Sequence, residues 1–207
     1  MAISAVVFDI GNVLVEWHPF RPFDRLLGEK RRKELFALVD FDAMNERSDL
    51  GADLTIEISN LMKQHPDLAD EIILWHRHWL EMLAPDLPHS AKLLRALRAK
   101  GMPVFALSNF GVPTLALAEI EYPILQEFDQ RFISGEREVM KPDAAFYEML
   151  ERETGIEPTE LLFIDDRQDN IDAAISRGWQ GHLFETEDGL ATRLVNEGLL
   201  TVEEAAM

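Results

Sequence analysis

The most constraining feature of this chain lies near its start, where the apolar run Ala5-Val6-Val7-Phe8 stops on Asp9 and continues as Ile10-Gly11-Asn12-Val13-Leu14. The run is too short for a stable helix and rich in Val and Phe, the pattern of a fully buried parallel strand followed by its C-terminal turn. Open α/β sheets bind ligands outside the carboxyl ends of their strands, so Asp9 is expected at such an edge. Taken alone, the same residues could be a surface Asp in an ordinary turn. Later stretches of the chain decide between the two.

Glu16-Trp17-His18-Pro19 and Arg21-Pro22 interrupt regular structure, because each Pro pushes its predecessor out of the α region. From about residue 23 to 83 apolar residues recur at helical spacing, as in Leu54, Ile58, Leu61 and Met62, and no strand is expected. Pro85 and Pro88 punctuate the exit. Beyond them helix and strand alternate. Ser90 is the expected N-cap of a helix over 91–100 closed by Gly101, and 104–107 reads as the next buried strand. A weaker helix over 114–120, a short strand over 131–134 and a helix over 143–154 ending at Gly155 come next. The third strong strand, 161–164, runs into Asp165-Asp166, then come a helix over 170–177 and a last strand over 180–184. The tail from 199 to 207 is expected to be peripheral. This alternation predicts an α/β fold with a Rossmann-like parallel sheet built from right-handed crossovers. The expected division is a core of residues 1–16 and 86–207 with a helical domain of residues 17–85 inserted after the first strand.

Charge narrows the function classes. With 20 Lys and Arg against 38 Asp and Glu in 207 residues, the net charge of -18 repels nucleic acid and anionic membranes. An anionic substrate would need a local metal ion or lysine to reverse the sign. The absence of Cys removes disulfides and thiolate metal sites and fits a reducing compartment, so a cytoplasmic location is expected. No segment approaches the 18 unbroken apolar residues of a membrane span, and the first run is too short for a signal sequence. Nothing in the pattern specifies an oligomeric state.

Three of the expected strands end in polar residues at their C-terminal side: Asp9, Ser108-Asn109 and Asp165-Asp166. A fourth group, Lys141, precedes a helix opened by Pro142-Asp143. In a parallel sheet these ends share one edge. Asp9, Asp165 and Asp166 would then crowd three carboxylates into one crevice, which is unfavourable without a cation. Hard oxygen ligands of this kind suit Mg²⁺.

In this order and context the four stretches resemble the haloacid dehalogenase superfamily, over residues 5–15 and about 100–184. The insert sits where that family carries a small helical cap, in the subgroup that includes α-glucose-1-phosphate phosphatase-like proteins. The resemblance implies a Mg²⁺-dependent phosphatase acting on a small phosphorylated metabolite, a sugar phosphate being one candidate. It makes Asp9 the nucleophile that forms an aspartyl-phosphate and a metal ligand, with the Gly11 carbonyl and Asp166 as further ligands and Asp165 a direct or water-mediated one. Ser108 and Asn109 would donate to phosphoryl oxygens, and Lys141 would neutralise the transferring group.

One departure from the family pattern matters. Phosphatases of the superfamily usually carry a second Asp two residues after the nucleophile as general acid and base, and that position is Gly11 here. Loss of such a group typically costs about 10²- to 10⁴-fold. The subgroup shares this Gly, and an easily departing leaving group would need the acid least. His18 could supply the proton, or could simply pack beside Trp17 and Pro19. Glu46-Arg47 and Trp75-His76-Arg77-His78-Trp79 are candidates to contact the rest of the substrate, although Trp75 and Trp79 share a helical face suited to plain core packing. Arg167 could meet an anion or pair with the neighbouring acids. Two other readings remain. A 2-haloacid dehalogenase would also use Asp9 and lack the second Asp, but it would not need paired acids for a metal. A non-enzymatic binding module could retain the fold without its acid-base residue.

Overall fold

A computed structural model describes residues 2–206. Among the described residues there are seven strands: β1 Ala5–Phe8, β2 Val15–Trp17, β3 Leu83–Asp86, β4 Val104–Ser108, β5 Gln130–Ile133, β6 Leu161–Asp165 and β7 Gln180–Leu183. Between β2 and β3 lie helices α1 Arg21–Leu27, α2 Glu29–Leu38, α3 Phe41–Asp49, α4 Leu54–Gln64, α5 Ala69–Arg77 and α6 Trp79–Met82. The remaining helices are α7 Pro88–Ala99, α8 Val112–Glu121, α9 Ser134–Arg137, α10 Ala144–Thr154, α11 Gln168–Ser176, α12 Glu187–Asn196 and α13 Val202–Ala205. No helix among the described residues is long and apolar enough to cross a membrane.

Five strands form one sheet in the order β5-β4-β1-β6-β7, with every neighbouring pair parallel. β1 is central because it is buried on both faces. Successive side chains of a strand point to opposite sides, and here Val6 and Phe8 join one apolar cluster while Ala5 and Val7 join the other. Ala106, Leu162 and Ile164 share the first face with α7 and α12; Leu107, Leu161 and Phe163 share the second with α10 and α11. The order of crossovers reverses at β1, the topological switch point where such sheets open a crevice.

Several local expectations change. The 15–17 segment is a strand, and it pairs antiparallel with β3 in a two-stranded ribbon, so the chain enters and leaves the helical segment through paired backbone. Sequence periodicity could not reveal this, since a three-residue strand and one interrupted by Pro85 carry no alternation. The helix expected to start at Ser90 starts at Pro88, with Pro in its first turn and no side-chain cap. Ser90 is buried inside that turn, and its N–H donates to Glu187 Oε1 at 2.8 Å. A carboxylate from α12 therefore satisfies a helix N-terminus that no local cap serves. The C-terminal segment is not peripheral either. Leu199, Leu200 and Ala205 are buried, the Ala205 carbonyl accepts a hydrogen bond from His89 Nε2 at 2.9 Å, and α12 and α13 pack on α7.

On the second face Phe163 is fully buried and meets Tyr147 and Trp179 edge-on, each with ring centroids 5.9 Å away. Replacing this ring leaves a cavity that rigid strands cannot close. Phe163→Ala is expected to lower unfolding free energy by about 3–5 kcal/mol, read from urea denaturation followed by circular dichroism.

Candidate functional site

The sheet brings the polar strand ends together. β1 is flanked by β4 and β6 in register, with Phe8 opposite both Ala106 and Ile164, so Asp9, Ser108 and Asp165 emerge side by side. Asp9 Oδ1 accepts hydrogen bonds from Ser108 Oγ at 2.7 Å and from the Ile10 N–H at 2.7 Å, and pairs with Lys141 Nζ at 2.9 Å. Lys141 Nζ also pairs with Asp165 Oδ2 at 2.7 Å and lies 5.5 Å from the centre of the Phe163 ring. Asp9, Ser108, Lys141 and Asp165 are all buried.

Lys141 is held by its peptide. Asn109 Nδ2 donates to the Lys141 carbonyl at 2.9 Å, and the Lys141 N–H donates back to Asn109 Oδ1 at 2.8 Å. The Asn109 side chain, expected to face a phosphoryl group, thus clamps the segment that carries the lysine. Asp165 is saturated: its oxygens accept from the Arg167 N–H, from Asn170 Nδ2 and from Lys141 Nζ. Asn12 has a left-handed backbone (φ 56°), a conformation that Asn tolerates, and its Nδ2 donates to Asp166 Oδ2 at 2.8 Å while its Oδ1 accepts from the Trp17 N–H.

Burial pushes the Asp9 carboxyl up to about 7; Lys141 opposes this and Asp165 adds to it. Burial works against the Lys141 charge too, yet Asp9 and Asp165 outweigh it and hold the amine above the usual lysine range. Asp166 is raised, chiefly by burial, with the Asn12 hydrogen bond opposing. Three carboxylates against one ammonium leave the cluster short of positive charge.

A metal ion would supply it. One oxygen from each of Asp9, Asp165 and Asp166 lies within 4.8 Å of the others. Because Asp165 is saturated, acceptor capacity remains on Asp9 and Asp166: Ser108, the Ile10 N–H and Lys141 all meet Asp9 Oδ1, and the Asn12 side chain meets Asp166 Oδ2. The buried Asn170 Oδ1 in the same wall also lacks a partner. An oxygen-rich donor set with orphaned acceptors fits a hard divalent cation that keeps some of its waters.

The cluster floors a cavity of about 440 Å³. Trp17, Trp75, Trp79 and Phe110 form one wall; Trp79 stands 5.8 Å from Trp17 and 5.8 Å from Phe110 between ring centres. Trp75 is stacked on Phe41 at 5.1 Å, so it serves both core and cavity. The other wall is one face of α3: Asp42, Asn45, Glu46 and Asp49. Gly11 and Arg167 also line the space, the latter paired with Asp169. Of the expected residues, Asp165, Arg47, His18, His76, Arg77 and His78 are absent from the wall. Arg47 pairs with Glu57 at 2.6 Å, and His18 packs edge-on against Phe20. His76 and Arg77 are exposed. Sequence reasoning missed Asn12, Asp42, Asn45, Asp49 and Phe110. The one available signal was the spacing of Asp42, Asn45, Glu46 and Asp49, which places them on a single helical face.

Comparison with known proteins agrees with this geometry. Residues 3–178 match the family described as haloacid dehalogenase-like hydrolase. The sesquiterpene phosphatase astK of Aspergillus oryzae is 30% identical over 193 residues, covering 91% of this chain and 92% of that protein. Among solved structures, a HAD-family enzyme of Bacteroides thetaiotaomicron in complex with magnesium and inorganic phosphate superposes with a TM-score of 0.69 at 19% identity, over 89% of this chain and 96% of that one. The L-2-haloacid dehalogenase of Xanthobacter autotrophicus gives a TM-score of 0.62 at 22% identity, over 98% and 86%. The chain therefore belongs to the haloacid dehalogenase-like hydrolases.

Proposed function

We propose that this hydrolase is a Mg²⁺-dependent phosphomonoesterase in which Asp9 is the nucleophile. The observation that carries the reading is the state of the Asp9 carboxylate. One oxygen is immobilised by Ser108, Lys141 and the Ile10 N–H, which fixes the carboxylate at the cavity floor beside Asp165 and Asp166. A carboxylate fixed in this way is oriented for in-line attack on phosphorus. Asp9, Asp166 and the Gly11 carbonyl would hold the metal, with Asp165 in support through Lys141 and Asn170. When bound there, Mg²⁺ supplies positive charge against the phosphoryl oxygens and the nucleophile. Lys141 adds charge to the same centre, and Ser108 keeps Asp9 in its attacking rotamer. Attack forms the bond from Asp9 to phosphorus and breaks the ester bond; water then cleaves the acyl phosphate and restores Asp9. The paired acids weigh against the dehalogenase reading, since an attack on carbon needs no cation among them.

Helices α1–α6, within residues 17–85, act in this reading as a cap over a core made of the rest, excluding water and selecting the alcohol. The aromatic wall supports an alcohol with a flat or apolar body, in keeping with the terpenoid named for the Aspergillus relative. A sugar phosphate is the second reading, favoured by the polar α3 face, whose carboxylates can accept hydroxyl hydrogen bonds.

Phosphate release should be abolished by chelator and restored by Mg²⁺. Asp9→Asn is nearly isosteric but removes a charge from the buried Lys141 pair, so it should lower the melting temperature while keeping the native circular dichroism spectrum, and lose about 10⁴-fold or more in kcat. Turnover that survives either treatment would refute the mechanism. Across a panel of phosphate esters, kcat/KM for prenyl and aryl phosphates should exceed that for hexose phosphates. Trp79→Ala should raise KM for the apolar esters by about tenfold, the cost of losing one favourable aromatic contact; the reverse ranking would favour the sugar reading.

A further inference from the structure

Gly11 leaves the nucleophile loop without a group to protonate a departing alkoxide, and His18 is not in the cavity wall. The other wall contains a carboxyl in a suitable state. Asp42 and Asp49 lie at opposite ends of the α3 face, about 10 Å apart along the helix axis. The Asp49 end is docked onto the sheet. Ser134 Oγ donates to the Asp49 carbonyl and accepts from the Phe110 N–H at 2.8 Å. Gly111 approaches so closely that a Cβ there would stand 3.0 Å from the Ser48 carbonyl, and one on Gly135 would stand 2.8 Å from the Phe110 carbonyl. Asp49 is thereby fixed against the loop that begins at Ser108, whose hydroxyl touches Asp9.

The Asp49 side chain has no cationic partner among the described residues; its Oδ2 accepts from Asn45 Nδ2 at 2.8 Å. Burial pushes this carboxyl up to about 8, the Gly111 backbone opposes the shift, and Glu46 and Asp9 reinforce it. Below that value the group retains its proton, so at neutral pH it can donate one. Asp49 is half-buried, whereas Asp42 and Glu46, on the same helical face, are exposed.

We propose that Asp49, carried by the helical layer, is the general acid and base of the reaction, the role Gly11 cannot perform. This rests on the phosphomonoesterase reading. As Asp9 bonds to phosphorus and the ester P–O bond breaks, the Asp49 proton passes to the leaving oxygen and the free alcohol departs. Asp49, now a carboxylate, takes a proton from the water that attacks the aspartyl-phosphate. The P–O bond to Asp9 breaks, inorganic phosphate leaves, and both carboxyls return to their starting states.

The test is the leaving-group dependence of kcat/KM in the full-length protein and Asp49→Asn, from 4-nitrophenyl phosphate through phenyl phosphate to alkyl phosphates. Alkyl esters need the proton and should lose about 10²- to 10⁴-fold in the variant, whereas 4-nitrophenyl phosphate should lose less than about tenfold. Retained turnover of that ester shows that the variant is folded. Its progress curve should also gain a burst of 4-nitrophenol near one equivalent, because hydrolysis of the aspartyl-phosphate has lost its base. An equal loss on every ester, or no loss on alkyl esters, overturns the assignment. A wild-type protein that hydrolyses none of them, with metal present, fails the phosphatase reading itself.

Discussion

The site depends on one buried cation, Lys141, whose ammonium lies between Asp9 and Asp165 at 2.9 and 2.7 Å with almost no solvent contact. Neither carboxylate could stay ionised in that position alone, and the ammonium could not be buried without them. The rest of the arrangement serves to hold that lysine. Asn109 grips its peptide from the end of β4, Asn170 and the Arg167 N–H orient Asp165 from the start of α11, and Ser108 completes the shell around Asp9. With both Asp165 oxygens and one oxygen each of Asp9 and Asp166 engaged, the cluster still lacks positive charge, and Asp9 and Asp166 line the cavity above it.

That cavity joins two kinds of surface. The sheet edge supplies fixed charges and hydrogen bonds suited to a phosphoryl group; the helical segment supplies rings and an acidic helix face. The two are not loosely apposed. The end of α3 is seated on the loops after β4 and β5 through Ser134 and through the close approach of Gly111 to the Ser48 carbonyl. The helical segment therefore lines the cavity together with the strand ends, and its side chains are held in a fixed position relative to Asp9.

Much of this was legible in the chain. Strands β1, β4 and β6 could be read because both faces are buried, so each is a short unbroken apolar run with a polar stop. Asp9, Ser108, Lys141 and Asp165-Asp166 were legible for the same reason: each marks the end of such a run or the entry to a helix. The β2–β3 ribbon, α12 and the buried C-terminal segment were not, because their stability comes from partners distant in sequence, such as Leu14, His89 and α7. Ser90 misled because a good capping residue lay two positions inside a helix already begun by Pro88. Arg47 and His18 carried plausible chemistry but turned to Glu57 and Phe20.

The sequence by itself determined the sheet, its strand ends and the acid-rich character of the centre, since these arise from local burial patterns and from residues that terminate them. Only the tertiary structure decided which oxygens of those acids take hydrogen bonds, that Asn109 grips the Lys141 peptide, and that Asp49 lines the same cavity as Asp9. Hydrogen-bond saturation and desolvation depend on groups brought together from remote parts of the chain, and no local pattern encodes them.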